Sequence, residues 1–187
     1  MHYHSPARAL TQNAGFTLIE LVVVIIILGI LSVVALPKFI NLSEDAHVSA
    51  VAGTGGAFKS GINLARSVWA VRVGSGPADD LPTFGDSESG ELDFNDNGWP
   101  AQHWGTPDSD GDSPQLDNTE DCISVWETIF AGNEPSVSSS TSTDETDYKA
   151  NYISPNQCRF DYRDNLNLSI SYDSRNGSVV IDKDPNS

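Results

Sequence analysis

The stretch GFTLIELVVVIIILGILSVVALP, residues 15–37, decides the architecture of this chain. Residues 21–36 are apolar apart from Gly29 and Ser32. With residues 16–19 they supply about the 20 positions that a helix needs to cross a hydrocarbon core. The run has no helical periodicity, which disfavours a core helix with one side facing water. We therefore predict that residues 16–37 form a membrane-spanning helix.

Glu20 is the unusual residue of this stretch. An ionised carboxylate inside a spanning helix costs roughly 2.5 to 3.5 kcal/mol on insertion scales, and such a residue usually has a function and a partner. An ordinary membrane anchor does not explain Glu20. A conventional secretory signal cut near residues 33–35 does not explain it either, and its charged leader region would consist of Arg8 alone. A cationic partner for Glu20 is therefore expected.

The motif GFTLIE at residues 15–20, followed by the apolar run, resembles the N-terminus of type IV pilins and the related type II secretion pseudopilins. The resemblance implies that residues 1–15 are a leader. It also implies that prepilin peptidase cuts between Gly15 and Phe16 and methylates the new amine of Phe16. In a filament, that amine on a neighbouring subunit would neutralise Glu20, which would favour docking of the subunits in register.

Gly29 and Pro37 interrupt the helix. Proline removes a backbone donor and clashes with the preceding turn, and glycine costs about 1 kcal/mol relative to alanine. Residues 29–37 are therefore predicted to be the weak part of the helix. In the pilin family, the segment between a glycine and a proline at these positions can lose helicity as subunits pack. The resemblance thus implies an assembly role for both residues.

The second half of the helix, residues 38–73, is predicted to be amphipathic. Apolar or small residues recur at spacings of four and three along one face. They are Val48, Val51, Gly55, Phe58, Ile62, Ala65 and Trp69. The charged side chains lie largely off this stripe, which is expected to dock on a sheet. The run GTGG at residues 53–56, with Gly61, weakens the helix locally but permits close backbone approach.

Residues 74–187 are predicted to form an acidic head. Residues 75–121 are rich in turn-forming and polar residues and are expected to be a long loop region. Residues 118–132 predict a short helix with a capping pattern and a closing Gly132. Residues 135–146 predict an exposed loop. The segments CRFDYR, LNLSISY and SVVID predict an antiparallel meander. The fold class is α+β, and with the long helix it matches the type IV pilin architecture.

Charge and cysteine content narrow the function further. The net charge of −16, with no basic cluster, argues against nucleic-acid binding. Cys122 and Cys158 lie on the side that would be exported, where a single disulfide is expected. The head patterns GWP at 98–100, DCISVWE at 121–127, YKA at 148–150 and CRFDY at 158–162 most resemble mannose-sensitive haemagglutinin-type (MSHA) major pilins. In pilins, two cysteines commonly clip a C-terminal loop.

Two acidic loops are candidates for calcium. DFNDNG at residues 93–98 offers Asp93, Asn95 and Asn97 at the first, third and fifth places of an EF-hand-like start, but Trp104 occupies the twelfth place. The second loop offers Asp108, Asp110 and Asp112. A run of loop acids is more often simply solvated. No other cofactor is expected.

Other chemistry has weaker support in the sequence. Zinc is disfavoured because His47 and His103 are isolated and His2 and His4 lie in the leader. No serine or cysteine lies in a recognisable nucleophile motif, so an enzyme is not expected. The tryptophans could form a sugar platform, but core or interface packing explains them more simply. They are Trp69, Trp99, Trp104 and Trp126.

The sequence thus predicts a structural subunit of a surface filament used for attachment. Its expected partners are other copies of itself, prepilin peptidase and the inner-membrane assembly machinery. The precursor is expected in the inner membrane and the mature chain in an extracellular pilus. Two alternatives stay open, which are a type II secretion pseudopilin and a membrane-anchored calcium- or sugar-binding protein that never polymerises.

Overall fold

The computed structural model describes residues 15–85, 90–102, 113–131 and 135–186. The chain divides into two compact units, the first ending at Ser43 and the second formed by Glu44–Ser187. The described residues form two helices and eight strands, in this order: α1 Leu18–Arg72, β1 Ala78–Pro82, β2 Glu91–Phe94, β3 Pro100–Gln102, α2 Thr119–Ile129, β4 Val137–Ser139, β5 Tyr148–Ser154, β6 Gln157–Tyr162, β7 Ser169–Asp173 and β8 Ser178–Asp182. A long apolar helix followed by a second helix and antiparallel sheets is the predicted α+β layout.

The predicted stripe of α1 is buried in the head. Val51, Phe58, Ile62 and Ala65 have no exposed surface, and Trp69 is almost fully covered. The helix ends where the backbone N–H groups of Val73 and Gly74 both donate to the carbonyl of Trp69, at 2.8 and 3.1 Å. Gly74 has a φ of +83°, a conformation that glycine adopts without strain.

Two glycines of α1 confirm the predicted close approach. A Cβ built on Gly55 would lie 2.6 Å from Ile181, and one built on Gly61 would lie 2.5 Å from Ile129. The first contact brings α1 against β8, and the second brings it against the end of α2. Larger residues at these two positions would push the helix away from the core.

The main sheet has five strands in the order β4-β5-β6-β7-β8. The predicted meander is confirmed, because β6, β7 and β8 pair antiparallel in sequence, with Phe160 opposite Ile170 and Ile170 opposite Ile181. The edge strand differs from the prediction. The segment 135–146 was expected to be loop throughout, but Val137–Ser139 pairs parallel to β5. The low-complexity composition hid this short strand.

A second, three-stranded sheet of order β1-β2-β3 corrects another prediction. It lies within residues 75–121, which were expected to be loop. The strands are three to five residues long and the pairing contains irregularities. Aspartate, proline and glycine flank or enter them, so neither alternation nor β-branched content marked them in the sequence.

The core joins α1, α2 and the main sheet around Phe58. Its ring lies 5.2 Å from the centroid of Trp126, 5.5 Å from Phe160 and 5.8 Å from Tyr172. Such aromatic pairs add specific contacts to the burial of apolar area. The helix α1 therefore contributes the central side chain of the head's core.

Helix α2 is held near its start by a capping box and by a disulfide. Asn118 caps it, because its side chain accepts from the Asp121 N–H at 3.0 Å while the Asp121 carboxylate accepts from the Asn118 N–H at 3.2 Å. The predicted disulfide is confirmed. It joins Cys122 of α2 to Cys158 of β6, with the two Cα atoms 5.7 Å apart. The predicted closing residue, Gly132, lies outside the described residues.

Candidate processing and assembly site

The predicted cleavage point lies immediately before α1. Gly15, Phe16 and Thr17 are non-helical and exposed, and Phe16 is 87% exposed. Exposed backbone outside regular secondary structure is a preferred site of proteolytic cleavage. Phe16 and Thr17, on the mature side of the bond, fit this description. The rest of the predicted leader, including Arg8, lies outside the described residues.

Thr17 and Glu20 form a capping box at the start of α1. The Glu20 carboxylate accepts from the Thr17 N–H at 2.9 Å and from the Thr17 hydroxyl at 2.8 Å, and the Glu20 N–H donates to the Thr17 hydroxyl oxygen at 3.3 Å. This arrangement satisfies donors that every helix leaves unpaired at its N-terminus. Our sequence interpretation missed it, although a threonine three places before a glutamate and an apolar run is its signature.

The capping box hydrogen-bonds Glu20 but does not neutralise its charge. Within the described part of the chain, Glu20 has no ion-pair partner. In the uncut chain the nitrogen of Phe16 is an amide of the Gly15–Phe16 bond and carries no charge. Cleavage of that bond would create an amine four residues before Glu20. The predicted cation therefore does not exist until the chain has been processed.

The segment Leu18–Ala35 displays apolar side chains on all sides. It has a mean hydropathy of 3.1, and none of its residues is buried within the chain. By length and composition it is able to cross a membrane. Leu18, Ile30 and Val33 are each at least 67% exposed. So large an apolar surface requires lipid or another protein around it.

The predicted weak segment is helical throughout in this structure. Helix α1 continues through Gly29 and Pro37. A Cβ built on Gly29 would meet nothing within 4 Å. Pro37 has no N–H to donate to the carbonyl four residues earlier, so the backbone ladder lacks one bond there. The proposed loss of helicity during assembly stays a prediction.

The first predicted calcium loop is tied together by Asn95. Its side-chain oxygen accepts from the N–H groups of Asn97 and Trp99, at 3.0 and 3.1 Å, and its side-chain amide donates to the Ser174 carbonyl at 2.7 Å. These bonds set the loop conformation and attach it to the β7–β8 turn. The polar atoms of the Asn95 side chain thus already have hydrogen-bond partners within the protein.

Asp93, the first place of the same loop, is buried. Its carboxylate accepts from the Asp80 N–H at 2.7 Å. Burial raises the pKa of Asp93 to about 6, and the nearby Asp80 and Asp79 add to the shift, while the hydrogen bonds from Asp80 and Gln102 oppose it. A carboxyl of this kind binds a proton more readily than an exposed aspartate does.

The positively charged side chain of Arg66 packs against this loop. The guanidinium of Arg66 donates to the carbonyl of Asn97 and lies 4.2 Å from the Trp69 ring centroid and 5.0 Å from that of Trp99. Among the described residues, no group of three or more His, Cys, Asp or Glu side chains could hold a metal ion. Asp108, Asp110 and Asp112 lie outside the described residues, and calcium binding stays a prediction.

The tryptophans that the structure describes are packed against other groups. Trp126 is 1% exposed in the core, Trp69 is covered by Arg66 and Trp99 lies against Gly177. His47 contacts Tyr162, with its Nδ1 3.2 Å from the tyrosine hydroxyl. Trp104 and His103 lie outside the described residues, as do His2 and His4.

Comparison with known proteins points to the same segment. Residues 10–36 match the family model described as the prokaryotic N-terminal methylation motif. The type IV narrow pilus major component PilA5 of Thermus thermophilus is 45% identical over 51 residues, which cover 27% of this chain and 44% of that protein. The chain therefore matches less than half the length of that relative. No solved structure matches it at a significant level. The N-terminal segment thus carries the methylation motif of prepilin-type proteins and is similar to a type IV pilus component.

Proposed function

We propose that this protein is a structural subunit, the major pilin, of a type IV pilus that serves in surface attachment. One observation carries the proposal. An apolar helix segment, Leu18–Ala35, has no residue buried in its own chain and lies within the residues that match the methylation motif. The similarity to a major pilus component supports it. The sequence patterns of the head, which resemble those of MSHA-type pilins, are a further argument for it.

Processing is the first step of the proposed mechanism. The precursor is held in the inner membrane by Leu18–Ala35, and prepilin peptidase cuts after Gly15 and methylates the amine of Phe16. The cut converts an uncharged amide into a cation beside the apolar helix. Glu20, already positioned by Thr17, becomes the counter-charge for that cation on a neighbouring copy.

Assembly then follows from burial of the apolar segment. Helices from many copies bundle, so that Leu18–Ala35 exchanges lipid for protein contacts, while the acidic heads face outward and repel one another. The helix lengthens locally between Gly29 and Pro37. The assembly machinery supplies the energy, and the finished filament lies outside the cell. The role is structural rather than catalytic, and no nucleic acid or cofactor takes part.

Two substitutions at Glu20 test this proposal. We expect Glu20→Ala to reduce sheared surface filaments at least tenfold, because the apolar bundle would lose its charge pairing. Glu20→Gln keeps an acceptor for Thr17 but has no charge, and we expect it to fail equally. Glu145→Ala, an exposed acid of the head, is the matched control and should leave filaments unchanged. Filament yield is measured by shearing cells and immunoblotting, and precursor abundance by blotting membranes.

The outcomes separate the alternatives. Normal filaments with Glu20→Gln but not with Glu20→Ala would assign Glu20 to capping alone. Normal filaments with both would contradict the charge-pairing mechanism. A wild-type chain that is processed in membranes but absent from sheared material would favour a type II secretion pseudopilin. An unprocessed chain that binds calcium or sugar would favour a membrane-anchored binding protein.

A further inference from the structure

Three triplets of the form Asn-x-Ser, the sequence that accepts N-linked glycans, occur in this chain. They begin at Asn41, Asn167 and Asn176. So short a motif also arises by chance, and the structure around each asparagine decides which of them is able to react. An acceptor triplet must lie in exposed backbone outside a helix, where a transferase reaches both the asparagine and the hydroxyl.

The first two triplets do not meet this requirement. Asn41 and Ser43 lie within helix α1. Asn167 is exposed, but its side-chain amide donates to the carbonyl of Pro185 at 2.8 Å. Ser169, which supplies the hydroxyl of the second triplet, lies in β7 and is only 8% exposed. These two triplets are therefore poor acceptors.

The third triplet, residues 176–178, meets the requirement. Asn176 lies in the turn between β7 and β8, and both Asn176 and Ser178 are exposed. The side-chain oxygen of Asn176 accepts from the Ser178 N–H at 2.8 Å, which folds the triplet into a compact turn. Among the described residues, neither the side-chain nitrogen of Asn176 nor the hydroxyl of Ser178 has a hydrogen-bond partner. Both groups that the reaction needs are therefore accessible.

Packing explains the middle residue of this triplet but not its two ends. Gly177 has a φ of +69°, and a Cβ built on it would lie 2.2 Å from the ring of Trp99, so only glycine fits there. The backbone of Asn176 is not in the left-handed region, and an aspartate or serine could also bond the next strand from this position. No contact within the described part of the chain calls for the hydroxyl of Ser178.

The triplet adjoins a concave surface on the main sheet. Asn176 and Ser178 line a cavity of about 350 Å³ on the face of the sheet opposite the core. Arg159, Ser171 and Val180 also line it, and they are paired with one another across β6, β7 and β8. This volume lies at the lower end of the range for small-molecule sites, roughly 300 to 1,000 Å³. The cavity therefore has room for the first sugars of a glycan on Asn176.

The charges of the cavity cancel, although the chain has a net charge of −16. Its lining contains one cation, Arg159, and one anion, Asp173. Arg159 pairs with Asp161 at 2.8 Å, and Asp173 pairs with Arg175. Each charge thus already has a counter-charge within the head. An uncharged ligand suits this surface better than an ion does.

The remaining lining combines apolar side chains with hydroxyl and amide groups. Ile153 and Val180 are 51% and 60% exposed, and both line the cavity. Between them lie Ser171 of β7 and Gln157 of β6, which offer polar atoms. A sugar ring has apolar C–H surfaces and a rim of hydroxyls, and it therefore matches both parts of this lining.

We propose that Asn176 carries an N-linked glycan whose first sugars lie over this cavity. The inference rests on export of the head, as in the proposed function, but it does not require polymerisation. The donor is a glycan on a polyprenyl diphosphate carrier, and the catalyst is a membrane-bound transferase. A bond forms between Nδ2 of Asn176 and the first carbon of the glycan. The bond from that carbon to the diphosphate breaks, the diphosphate leaves with the electron pair, and Nδ2 gives one proton to a base of the transferase.

Peptide mass measurements on protein from the source cells test the attachment. Protein is taken both from sheared surface material and from membranes, and it is digested with trypsin. Cleavage after Arg163, Arg175 and Lys183 gives peptides 164–175 and 176–183, so that Asn167 and Asn176 are analysed separately. We expect the mass of a glycan on peptide 176–183 and none on peptide 164–175.

Four variants define the acceptor. We expect Asn176→Gln and Ser178→Ala to lose the added mass completely, because each removes one of the two required groups. Ser178→Thr keeps the hydroxyl and should keep the glycan, as should the control Asn167→Gln. Formation of the Cys122–Cys158 disulfide in every variant checks that the head has folded.

The outcomes separate this inference from the proposed function. An unmodified peptide 176–183 in filaments would overturn the inference and leave the proposed function intact. Sugar at Asn41, at Asn167 or on the serines of residues 136–142 instead of Asn176 would overturn it as well. A glycan on Asn176 in membranes, with no protein in sheared material, would support the inference and contradict the proposed function.

Alkylation of an introduced cysteine tests where the glycan lies. Val180→Cys places a thiol in the cavity, and its reaction with a maleimide is followed on the full chain extracted in mild detergent. We expect the reaction to be severalfold slower in the glycosylated chain than in the same chain with Ser178→Ala. Val71→Cys on α1, at a position 87% exposed, is the control and should react equally in both. Cys122 and Cys158 do not interfere, because they are joined and buried.

Equal rates at Val180→Cys in the two chains would contradict the position of the glycan over the cavity. A slower reaction at both Val180→Cys and Val71→Cys would contradict it too, because the glycan would then shield the head without a fixed position. Slower reaction at Val180→Cys alone is the result that the geometry predicts.

Discussion

The two halves of helix α1 bury their apolar side chains in different ways. In the second half, Phe58, Ile62 and Ala65 have no exposed surface, because the head of the same chain covers them. In the first half, Ile25 and Leu28 are 57% and 56% exposed, and no residue of Leu18–Ala35 is buried. One helix thus contains a segment whose apolar side chains are covered by its own chain and a segment whose apolar side chains are not.

This difference separates folding from assembly. Burial of apolar area stabilises the state that covers it, at roughly 25 cal/mol per Å². For the second half that state is the folded head. For the first half, under the proposed function, it is the lipid-inserted or polymerised chain. Substitutions in the two halves are therefore expected to affect different measurements.

The largest expected effect on the head comes from Phe58→Ala. It removes the ring at the centre of the aromatic core and should lower the free energy of unfolding by about 3 to 5 kcal/mol. Ile25→Ala, in the exposed half, should change it by less than about 0.5 kcal/mol. Urea unfolding of the full chain in mild detergent, followed by tryptophan fluorescence, gives both values. Similar losses for both variants would break the distinction between the two halves.

Loss of the disulfide should be nearly as costly. Cys122 and Cys158 are 36 residues apart, and the loop-entropy model gives about 4 kcal/mol for such a bridge. The double variant Cys122→Ser with Cys158→Ser should lower the unfolding midpoint of the head, while helix Leu18–Ala35 stays inserted in membranes. Carbonate extraction of membranes checks insertion, and urea unfolding checks the head. A variant that leaves the membrane would show that the two segments are not independent.

Asp93 should make the head more stable as the pH falls from 7 towards 4. Its pKa in the fold is about 6, above the ordinary value of 3.8, so the folded chain binds a proton that the unfolded chain does not. Ionised Asp93 therefore costs up to about 3 kcal/mol at neutral pH. Asp93→Asn should raise the free energy of unfolding at pH 7 and flatten its dependence on pH. The contribution of Asp121, whose pKa burial also raises, would remain.

Asp173 provides a control of opposite sign. Hydrogen bonds from Arg175 lower its pKa to about 2, so its contribution is present above the ordinary aspartate pKa and is lost as the pH falls towards 2. Asp173→Asn should leave the slope between pH 7 and 4 unchanged. Unfolding curves at several pH values measure how the free energy of unfolding of each variant, Asp93→Asn and Asp173→Asn, depends on pH. A slope that persists fully in Asp93→Asn would contradict the assignment.

The smallest effects come from glycines that differ only in what lies beside them. Gly55→Ala should cost about 1 to 3 kcal/mol, because its Cβ would overlap Ile181. Gly53→Ala has open space and should stabilise the head by about 0.5 to 1 kcal/mol through helix propensity. Thermal unfolding of the two variants is compared under the same conditions. A stabilising Gly55→Ala would mean that α1 is not seated closely on β8.

Strong, regular signals made much of this architecture predictable. The spacing of Val51, Phe58 and Trp69 predicted the buried face of α1, and alternation in residues 157–182 predicted the meander. The disulfide followed from the position of its two cysteines beyond an export segment. Each of these features leaves a periodic or compositional mark in the sequence.

The strands that sequence reasoning missed lack such a mark. Strands β1 to β3 are short, and a side chain of one strand bonds the backbone of its neighbour, since Asp93 of β2 accepts from the Asp80 N–H of β1. Strand β4 has only Val137 as an apolar residue, and its pairing is set by β5. The Thr17–Glu20 capping box does have a sequence signal, a threonine three residues before a glutamate and an apolar run. The position of Arg66 between Trp69 and Trp99 required the fold itself.

The most direct test of the central claim, that the exposed half of α1 finds its partner in other processed copies, is a mass measurement. The intact mass and N-terminal fragments are determined for protein sheared from the surface of cells. We expect a chain that begins at methylated Phe16 and contains the Cys122–Cys158 disulfide. A chain that still carries Met1, or sheared material that lacks the protein altogether, would contradict it.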